Sequence, residues 1–160
     1  FLQVPEPLIQ KEFSRIMSLK DGSRKMSKSE LSDLSRINLT DDSDLIVNKI
    51  KKAKTDPLPM PNTIKDLDER LEAKNLLGMY ASLTNSTLEK SIEIFAGKNF
   101  SEFKEKLSEV LVDKIQPISV EIKKLLDDKS YLNNTLLEGV ERANIIASKK
   151  IKRIKEIVGF

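Results

Sequence analysis

Hydrophobic residues recur every three or four positions over most of the chain beyond residue 65, and this is the spacing of one face of an α-helix. The pattern predicts five consecutive helices, beginning near Leu71, Leu88, Phe100 and Pro117 and ending with the longest, from about Ser130 to Val158. Gly97 and Gly159 stand at two expected helix ends. We therefore expect a helical bundle whose core contains the apolar stripe of each helix, the last one included.

The first third of the chain has a mixed pattern. Loose alternation over Phe13–Leu19 predicts a short strand, and Lys20–Arg24 behind it predicts a turn. Asp41–Asp44 supplies capping and acidic side chains to a helix that follows. The proline cluster Pro57–Pro61 fixes extended backbone, so we place a linker at about residues 55–63.

The composition narrows the chemistry more than the fold. With 39% hydrophobic and 33% charged residues, the 160-residue chain can bury a core, and no apolar run approaches the roughly 20 residues that cross a bilayer. The sequence has no cysteine and no histidine, which excludes thiol chemistry, Cys/His metal sites and histidine bases. Any catalysis must use Lys, Ser, Asp, Glu or backbone groups. The first residue is Phe1 rather than Met, so we expect the chain to be cut from a longer protein.

The most informative segment is Lys20–Ser29, a charged stretch that contains a glycine turn. Lys25 and Lys28 lie three residues apart, so both ammonium groups can face one polyphosphate. Their charge would stabilise a departing pyrophosphate without a proton donor, and a loop of this kind can close over a nucleotide. A solvated surface loop is the alternative, since charge runs usually face water.

Lys25-Met-Ser-Lys-Ser29 resembles the KMSKS signature of class I aminoacyl-tRNA synthetases. The flanking segments narrow the resemblance to the bacterial and mitochondrial tryptophanyl-tRNA synthetases, in the expected order over nearly the whole chain: Arg15–Asp21, Ile50–Asp56, Asn75–Thr84, Phe103–Leu107, Gln116–Ile118 and Ile157–Phe160. The intact Lys28 favours this branch over the cytosolic eukaryotic enzymes, in which the second lysine is usually alanine. Gly22 departs from the family, in which proline is frequent at this place.

The resemblance implies an ATP-dependent ligase that activates tryptophan as tryptophanyl-adenylate and transfers it to tRNA(Trp). It assigns the catalytic role to Lys25 and Lys28, which would contact the triphosphate of ATP and stabilise departing pyrophosphate. The ATP-binding residues would be Lys25, Met26, Ser27, Lys28 and Ser29, with backbone near Met26 close to adenine and the two serines supplying hydrogen bonds. Mg²⁺ would arrive with ATP, and no metal ligand is assigned to the protein.

The resemblance also implies the fold, which would be mainly α. Residues 1–55 would end a Rossmann-type α/β catalytic domain and carry the KMSKS loop, and residues 56–160 would form a linker and an α-helical bundle domain that binds the tRNA anticodon. The HIGH-type element and the tryptophan pocket, which the family places earlier, have no counterpart here. We therefore interpret the chain as the C-terminal half of such an enzyme, inactive alone, and expect a homodimer with no membrane partner.

The last helix carries the candidate contacts to tRNA. Between Arg142 and Glu156 there are six basic residues and one acidic residue, and this density suits phosphate contacts. We assign these contacts to Lys149, Lys150, Lys152 and Arg153. The alternative is a solvated face opposite the apolar stripe.

Alternative functions and locations stay open at this stage. A tyrosyl-tRNA synthetase is the nearest alternative function within the class. A non-catalytic RNA-binding protein of the same fold is another alternative, but it would have no need of both Lys25 and Lys28. The bias toward Lys, Asn, Ser and Ile and the ending Ile157–Phe160 favour the mitochondrial matrix, with the bacterial cytoplasm as the alternative.

Overall fold

The polypeptide forms five α-helices and two short 3₁₀ turns in a computed structural model that describes residues 3–9 and 13–160. The helices are α1 (Ser43–Lys51), α2 (Leu71–Leu83), α3 (Leu88–Phe95), α4 (Phe100–Asp127) and α5 (Lys129–Val158), and the 3₁₀ turns are Asp33–Ser35 and Lys65–Leu67. Over the described ranges there is no β-strand, so the predominantly helical prediction is confirmed. The contacts divide the chain into two compact units, one ending at Ser119 and the other running from Val120 to Phe160.

The strand predicted for Phe13–Leu19 is wrong, and the reason is local. Met17 forms only a single antiparallel bridge, to Lys25. The Met17 amide donates to Asn75 Oδ1 over 2.9 Å, and the Met17 carbonyl accepts from Asn75 Nδ2 over 2.9 Å. Because a buried side-chain amide of α2 satisfies both backbone groups, no neighbouring strand can pair with them.

Helix α1 begins where its sequence predicts. Asp42 is the N-cap, and its carboxylate accepts the Leu45 amide proton over 2.9 Å. Ile46 and Ile50 are fully buried on one face of the helix, and Ala53 is buried just beyond its end. The acidic start predicted for this helix is confirmed.

The proline-rich segment contains neither helix nor strand, but it is fixed to the core. Residues 57–59 are exposed, whereas Met60 is buried. The Met60 amide donates to the Lys98 carbonyl over 2.7 Å, and the Met60 carbonyl accepts from the Gly97 amide over 3.2 Å. Residues on both sides of this segment contribute to one hydrophobic core. The functional boundary at residue 55 stays a prediction.

Aromatic rings at the centre of the first unit hold α2, α3 and α4 together. Phe95 and Phe103 are buried with their ring centroids 4.8 Å apart, and Tyr80 meets Phe95 edge to face at 4.9 Å. Such pairs add to the hydrophobic gain of burying the rings. Gly97 follows α3 with a φ of +70°, as expected for a residue at a helix end.

The helix predicted to begin at Pro117 is not a separate helix. Helix α4 continues to Asp127 with Pro117 inside it. Proline removes the hydrogen bond to the carbonyl four residues earlier, here that of Asp113, and both residues are exposed. Water can therefore satisfy this carbonyl, while Leu111 and Ile115 keep the preceding turns in the core.

Helix α5 has the predicted bounds but not the predicted burial. Gly159 ends it in the left-handed conformation with φ +87°, yet none of its side chains is buried, and Leu136 and Ile146 are 65% and 73% exposed. The expectation that its stripe forms core is wrong, because the second unit contains only α5 and the last turns of α4. Two helical segments are too few to enclose the stripe. No helix of the described residues is long and apolar enough to cross a membrane.

Truncation of the aromatic centre tests this core. Phe103→Ala removes a fully buried ring, and we expect the free energy of unfolding to fall by about 3–5 kcal/mol. Phe160→Ala is the matched control, because Phe160 is 92% exposed, and it should change that free energy by less than about 0.5 kcal/mol. Urea unfolding followed by circular dichroism measures both. Equal effects of the two substitutions would contradict the described core.

Candidate functional site

Two backbone hydrogen bonds join the residues just before the signature loop, Lys20–Glu30, to residues inside it. The Ser18 amide donates to the Arg24 carbonyl over 2.8 Å, and the Met26 amide donates to the Ile16 carbonyl over 3.0 Å. These bonds lie on either side of the bridge that pairs Met17 with Lys25. The backbone is therefore fixed at the first residues of the KMSKS segment.

Asp21 closes the turn that precedes the segment. Its Oδ1 atom accepts the Ser23 hydroxyl over 2.6 Å and the Ser23 amide over 2.9 Å. The hydrogen bond from the Ser23 hydroxyl, and then that from the Ser23 amide, lower the pKa of Asp21. The turn predicted over Lys20–Arg24 is confirmed.

Gly22 packs against the first residues of α2. It is buried, and a Cβ atom at this position would lie 2.8 Å from the Glu72 amide nitrogen and 2.8 Å from the Leu71 carbonyl carbon. Only glycine allows two backbone segments to approach so closely. The residue at which this sequence departs from the family pattern thus brings the loop entry against α2.

Lys25 and Lys28 are both exposed, and neither side chain forms an ion pair with any residue that the structure describes. Met26 lies between them in sequence, is half-buried, and packs against the hydrophobic core. The apolar side chain therefore holds the loop down while both ammonium groups remain available to a ligand.

Ser27 and Ser29 fold the segment around Lys28. Their hydroxyl oxygens lie 2.9 Å apart, and Ser27 Oγ accepts the Ser29 amide proton over 3.3 Å. Both hydroxyl groups thus serve the conformation of the loop. The predicted contacts of these serines, and of Met26, with ATP stay predictions.

The loop ends at Glu30, whose carbonyl is held by the Arg36 side chain. Arg36 Nη1 donates to the Glu30 carbonyl over 2.9 Å. Arg36 Nη2 lies 2.9 Å from Asp33 Oδ1, and Arg36 Nε donates to Asn38 Oδ1 over 3.2 Å. Because the guanidinium group is planar with donors in a fixed arrangement, three partners define its orientation.

A fully buried lysine lies behind this arginine. Lys49 of α1 is 0% exposed, and its Nζ atom lies 2.6 Å from Asp41 Oδ2 and 2.7 Å from Asp33 Oδ2. The hydrogen bond from Lys49, and then that from Asn38, lower the pKa of Asp33. A buried ammonium group needs such partners, since its desolvation costs several kcal/mol.

Sequence reasoning identified the lysines of the loop but missed the side chains that anchor it. Asn75, Arg36 and Lys49 follow no motif spacing, and their partners are distant or lie in irregular backbone. One signal was available for Lys49: it falls between Ile46 and Ile50 on the apolar face of α1. A charged residue inside an apolar stripe indicates a buried and paired charge.

The candidate tRNA contacts lie in the second unit. Lys149, Lys150, Lys152 and Arg153 are all exposed on α5. The helical repeat places Lys149, Lys152 and Arg153 on one side of the helix. Lys150 and Arg153 also interact with other groups of the chain. The assignment of these four residues to tRNA stays a prediction.

The fold and the loop define the class of protein. Residues 1–116 match the family described as tRNA synthetases class I (W and Y). The match covers more than half of the chain and includes the whole signature loop, so the chain belongs to this family.

Curated bacterial tryptophan–tRNA ligases are similar to this chain. The chain is 47% identical to the ligase of Agrobacterium fabrum and 45% identical to that of Mesorhizobium japonicum, over 160 residues that make up 100% of this chain and 45% of each relative. It is 49% identical to the ligase of Rickettsia felis over 159 residues, which are 99% of this chain and 48% of that relative. The chain therefore spans about half the length of the curated relatives it matches.

Solved structures share the fold. Tryptophanyl-tRNA synthetase from Mycoplasma pneumoniae matches with a TM-score of 0.76 at 23% identity, over 94% of this chain and 45% of that chain. The enzyme from Campylobacter jejuni matches with a TM-score of 0.65 at 21% identity, over 99% of this chain and 47% of that chain. At these identities the likeness establishes the fold alone.

Substitution of Gly22 tests the close approach of the loop to α2. We expect Gly22→Ala to lower the free energy of unfolding by about 1–3 kcal/mol, because the added methyl group meets backbone atoms. Gly139→Ala is the control. It lies inside α5 with nothing within 4 Å of the added methyl group, so it should gain about 0.5–1 kcal/mol of helix stability. Denaturant unfolding measures both, and a neutral Gly22→Ala would contradict the described packing.

Proposed function

We propose that this chain is the signature-loop and helical part of a tryptophan–tRNA ligase, which activates tryptophan with ATP and transfers it to tRNA(Trp). The observation that carries the proposal is the pair Lys25 and Lys28, exposed on a loop that is anchored on both sides. Identities of 43–49% to tryptophan–tRNA ligases along the chain support tryptophan as the amino acid. We expect the 160 residues alone to be inactive, because the relatives are about twice as long.

The proposed chemistry requires positive charge at two fixed places. The tryptophan carboxylate attacks the α-phosphorus of ATP, the bond to the bridging oxygen breaks, and pyrophosphate leaves with the charge that has developed. Lys25 and Lys28 would stabilise that charge without giving up or accepting a proton. Charge held in position stabilises a transition state better than mobile charge, because nothing must reorganise during the reaction. The burial of Met26 and the hydrogen bonds at both ends of the loop supply this positioning.

Mg²⁺ would enter with ATP and would help the two lysines to neutralise the charge of the phosphates. In the part of the chain that the structure describes, no group of three or more carboxylates is arranged to hold a metal ion. Lys25 and Lys28 themselves have no described carboxylate paired with them, so their charge is available to phosphate oxygens.

The proposal extends to the partners of the whole protein. The basic residues of α5 would bind phosphates of tRNA(Trp), and the enzyme would work as a homodimer. The relatives named above are bacterial, so they favour the bacterial cytoplasm as the location. The mitochondrial matrix has no support from them.

Lys28→Ala in the full-length protein tests the proposed catalytic role. We expect tryptophan-dependent ATP–pyrophosphate exchange to slow by about 10²–10³-fold, since one preorganised charge is lost from the transition state. Lys20→Ala is the matched control, because Lys20 is an equally exposed lysine of the same loop outside the motif; its exchange rate should stay within about twofold of wild type. Near-normal exchange in Lys28→Ala would refute the role.

The same assay distinguishes the alternatives when tryptophan and tyrosine are supplied separately. We expect exchange with tryptophan only. Exchange with tyrosine only would identify the other member of the class. Binding of tRNA without exchange for either amino acid would instead indicate a non-catalytic RNA-binding protein.

Charge removal on α5 tests the tRNA contacts. Replacement of Lys149, Lys150, Lys152 and Arg153 by glutamine should weaken binding of tRNA(Trp) and make the slope of log K against log salt concentration shallower by up to about 3, since each lost phosphate contact contributes about 0.7–0.9. A control variant replaces four exposed lysines of the first unit, namely Lys65, Lys74, Lys90 and Lys98. Equal salt slopes in the two variants would contradict the proposed tRNA contacts and would indicate that these side chains of α5 only face solvent.

A further inference from the structure

We propose that Lys49, Asp33 and Arg36 are positioning residues that fix the end of the signature loop and thereby hold Lys28 at its place on the leaving pyrophosphate. The inference rests on the proposed function of the loop and adds residues that lie outside the KMSKS segment. These three side chains form a continuous series of contacts from a fully buried ammonium group to the Glu30 carbonyl.

The series begins at Lys49, whose position joins two segments of irregular backbone. Its partners Asp33 and Asp41 come from the 3₁₀ turn after the loop and from the residues before α1. Asp41 is 4% exposed, so the ion pair that it forms with Lys49 is shielded from water and salt. A carboxylate must lie close to Nζ, because an unpaired buried ammonium group is strongly destabilising; the buried Asp41 meets this need, and Asp33 adds a second contact. Lys49 thus fixes the 3₁₀ turn relative to α1.

Asp33 connects Lys49 to Arg36, because each of its two carboxylate oxygens contacts one of these residues. Oδ2 contacts Lys49 over 2.7 Å, whereas Oδ1 lies 2.9 Å from Arg36 Nη2 and accepts from Asn38 Nδ2 over 3.0 Å. A carboxylate that is bound through both oxygens has little freedom to rotate. The guanidinium group that it binds is therefore held in one orientation, which directs Nη1 at the Glu30 carbonyl.

The anchored carbonyl lies two residues beyond Lys28. Met26 lies two residues before Lys28. It is held by the hydrogen bond from its amide to the Ile16 carbonyl and by its packing against the core. Two residues span at most about 7 Å of extended chain. Fixed points at Met26 and Glu30 consequently restrict the backbone of Lys28 to a small volume, and release of one of them would let the loop move by ångströms.

Loss of this anchor should affect the reaction much more than the stability of the fold. Asp33 is 48% exposed, and Lys49 keeps the buried Asp41 as its partner when Asp33 is lost, so the contacts of Asp33 contribute little to the free energy of unfolding. A catalytic group misplaced by about 1 Å can lose about 10²-fold in rate. A positioning role thus predicts a fall in kcat without a matching fall in stability.

Asp33→Asn in the full-length protein separates these effects, since Lys49 keeps Asp41 as its partner. We expect kcat for tryptophan-dependent ATP–pyrophosphate exchange to fall at least tenfold, with the KM for tryptophan and the unfolding midpoint unchanged. Asp56→Asn is the matched control: it breaks another arginine–aspartate contact of the first unit, with Arg70, in which no residue of the KMSKS segment takes part. It should leave kcat unchanged, and an equal fall in both variants would overturn the proposal.

A double-mutant cycle with Lys28→Ala tests whether the effect passes through Lys28. In the Lys28→Ala background, Asp33→Asn should cause less than a twofold further loss, because the group that it positions is gone. A full tenfold further loss would mean that Asp33 acts independently of Lys28 and would overturn the assignment.

Trypsin cleavage tests the anchor without any need for catalysis. In the nucleotide-free protein, cleavage after Lys25 and Lys28, followed by mass spectrometry, should be several-fold faster in Asp33→Asn and in Arg36→Gln than in wild type or Asp56→Asn. Unchanged cleavage would overturn the proposal, whether or not the wild-type protein catalyses exchange. Absence of exchange in the wild-type protein would refute the proposed function instead. Faster cleavage with normal exchange would show that the anchor does not position Lys28.

Discussion

The first unit depends on the burial of one ammonium group. Lys49 lies in the last turn of α1 with no exposed surface; the buried Asp41 offsets its desolvation, and the half-exposed Asp33 adds a second contact. Those aspartates fix the backbone from the end of the signature loop to the beginning of α1. The interaction thereby joins the packing of the core, through Ile46 and Ile50 on the same helix, to the position of the charged signature loop.

The helical part of the fold could be predicted because its signals are local. Asp42 and Thr87 cap the helices that follow them, and Gly159 ends α5 with a positive φ. The predictions were wrong where contacts between residues far apart in the sequence determine the local structure. The Asn75 side chain replaces a strand neighbour for Met17, and Pro117 is accommodated on an exposed side of α4. The stripe of α5 is regular in spacing, but burial depends on how many elements surround a helix, which spacing alone does not specify.

The candidate site divides in the same way. Lys25 and Lys28 could be proposed as site residues from the sequence, because the KMSKS segment that contains them consists of five adjacent residues. Arg36 and Lys49 could not be found as anchors, because their contacts with Glu30 and Asp33 exist only after the chain has folded. Gly22 shows the same limit: its departure from the family pattern is visible in sequence, whereas its approach to the backbone of α2 is a property of the fold.

The most direct measurement of the central claim is rapid-quench kinetics of tryptophanyl-adenylate formation by the full-length protein, at varied ATP concentration, for wild type and Lys25→Ala. If the anchored loop acts on the charge of the leaving pyrophosphate, the rate constant of the chemical step should fall by at least tenfold while the dissociation constant of ATP changes by less than about threefold. An unchanged chemical step, or a loss found wholly in ATP affinity, would contradict the account.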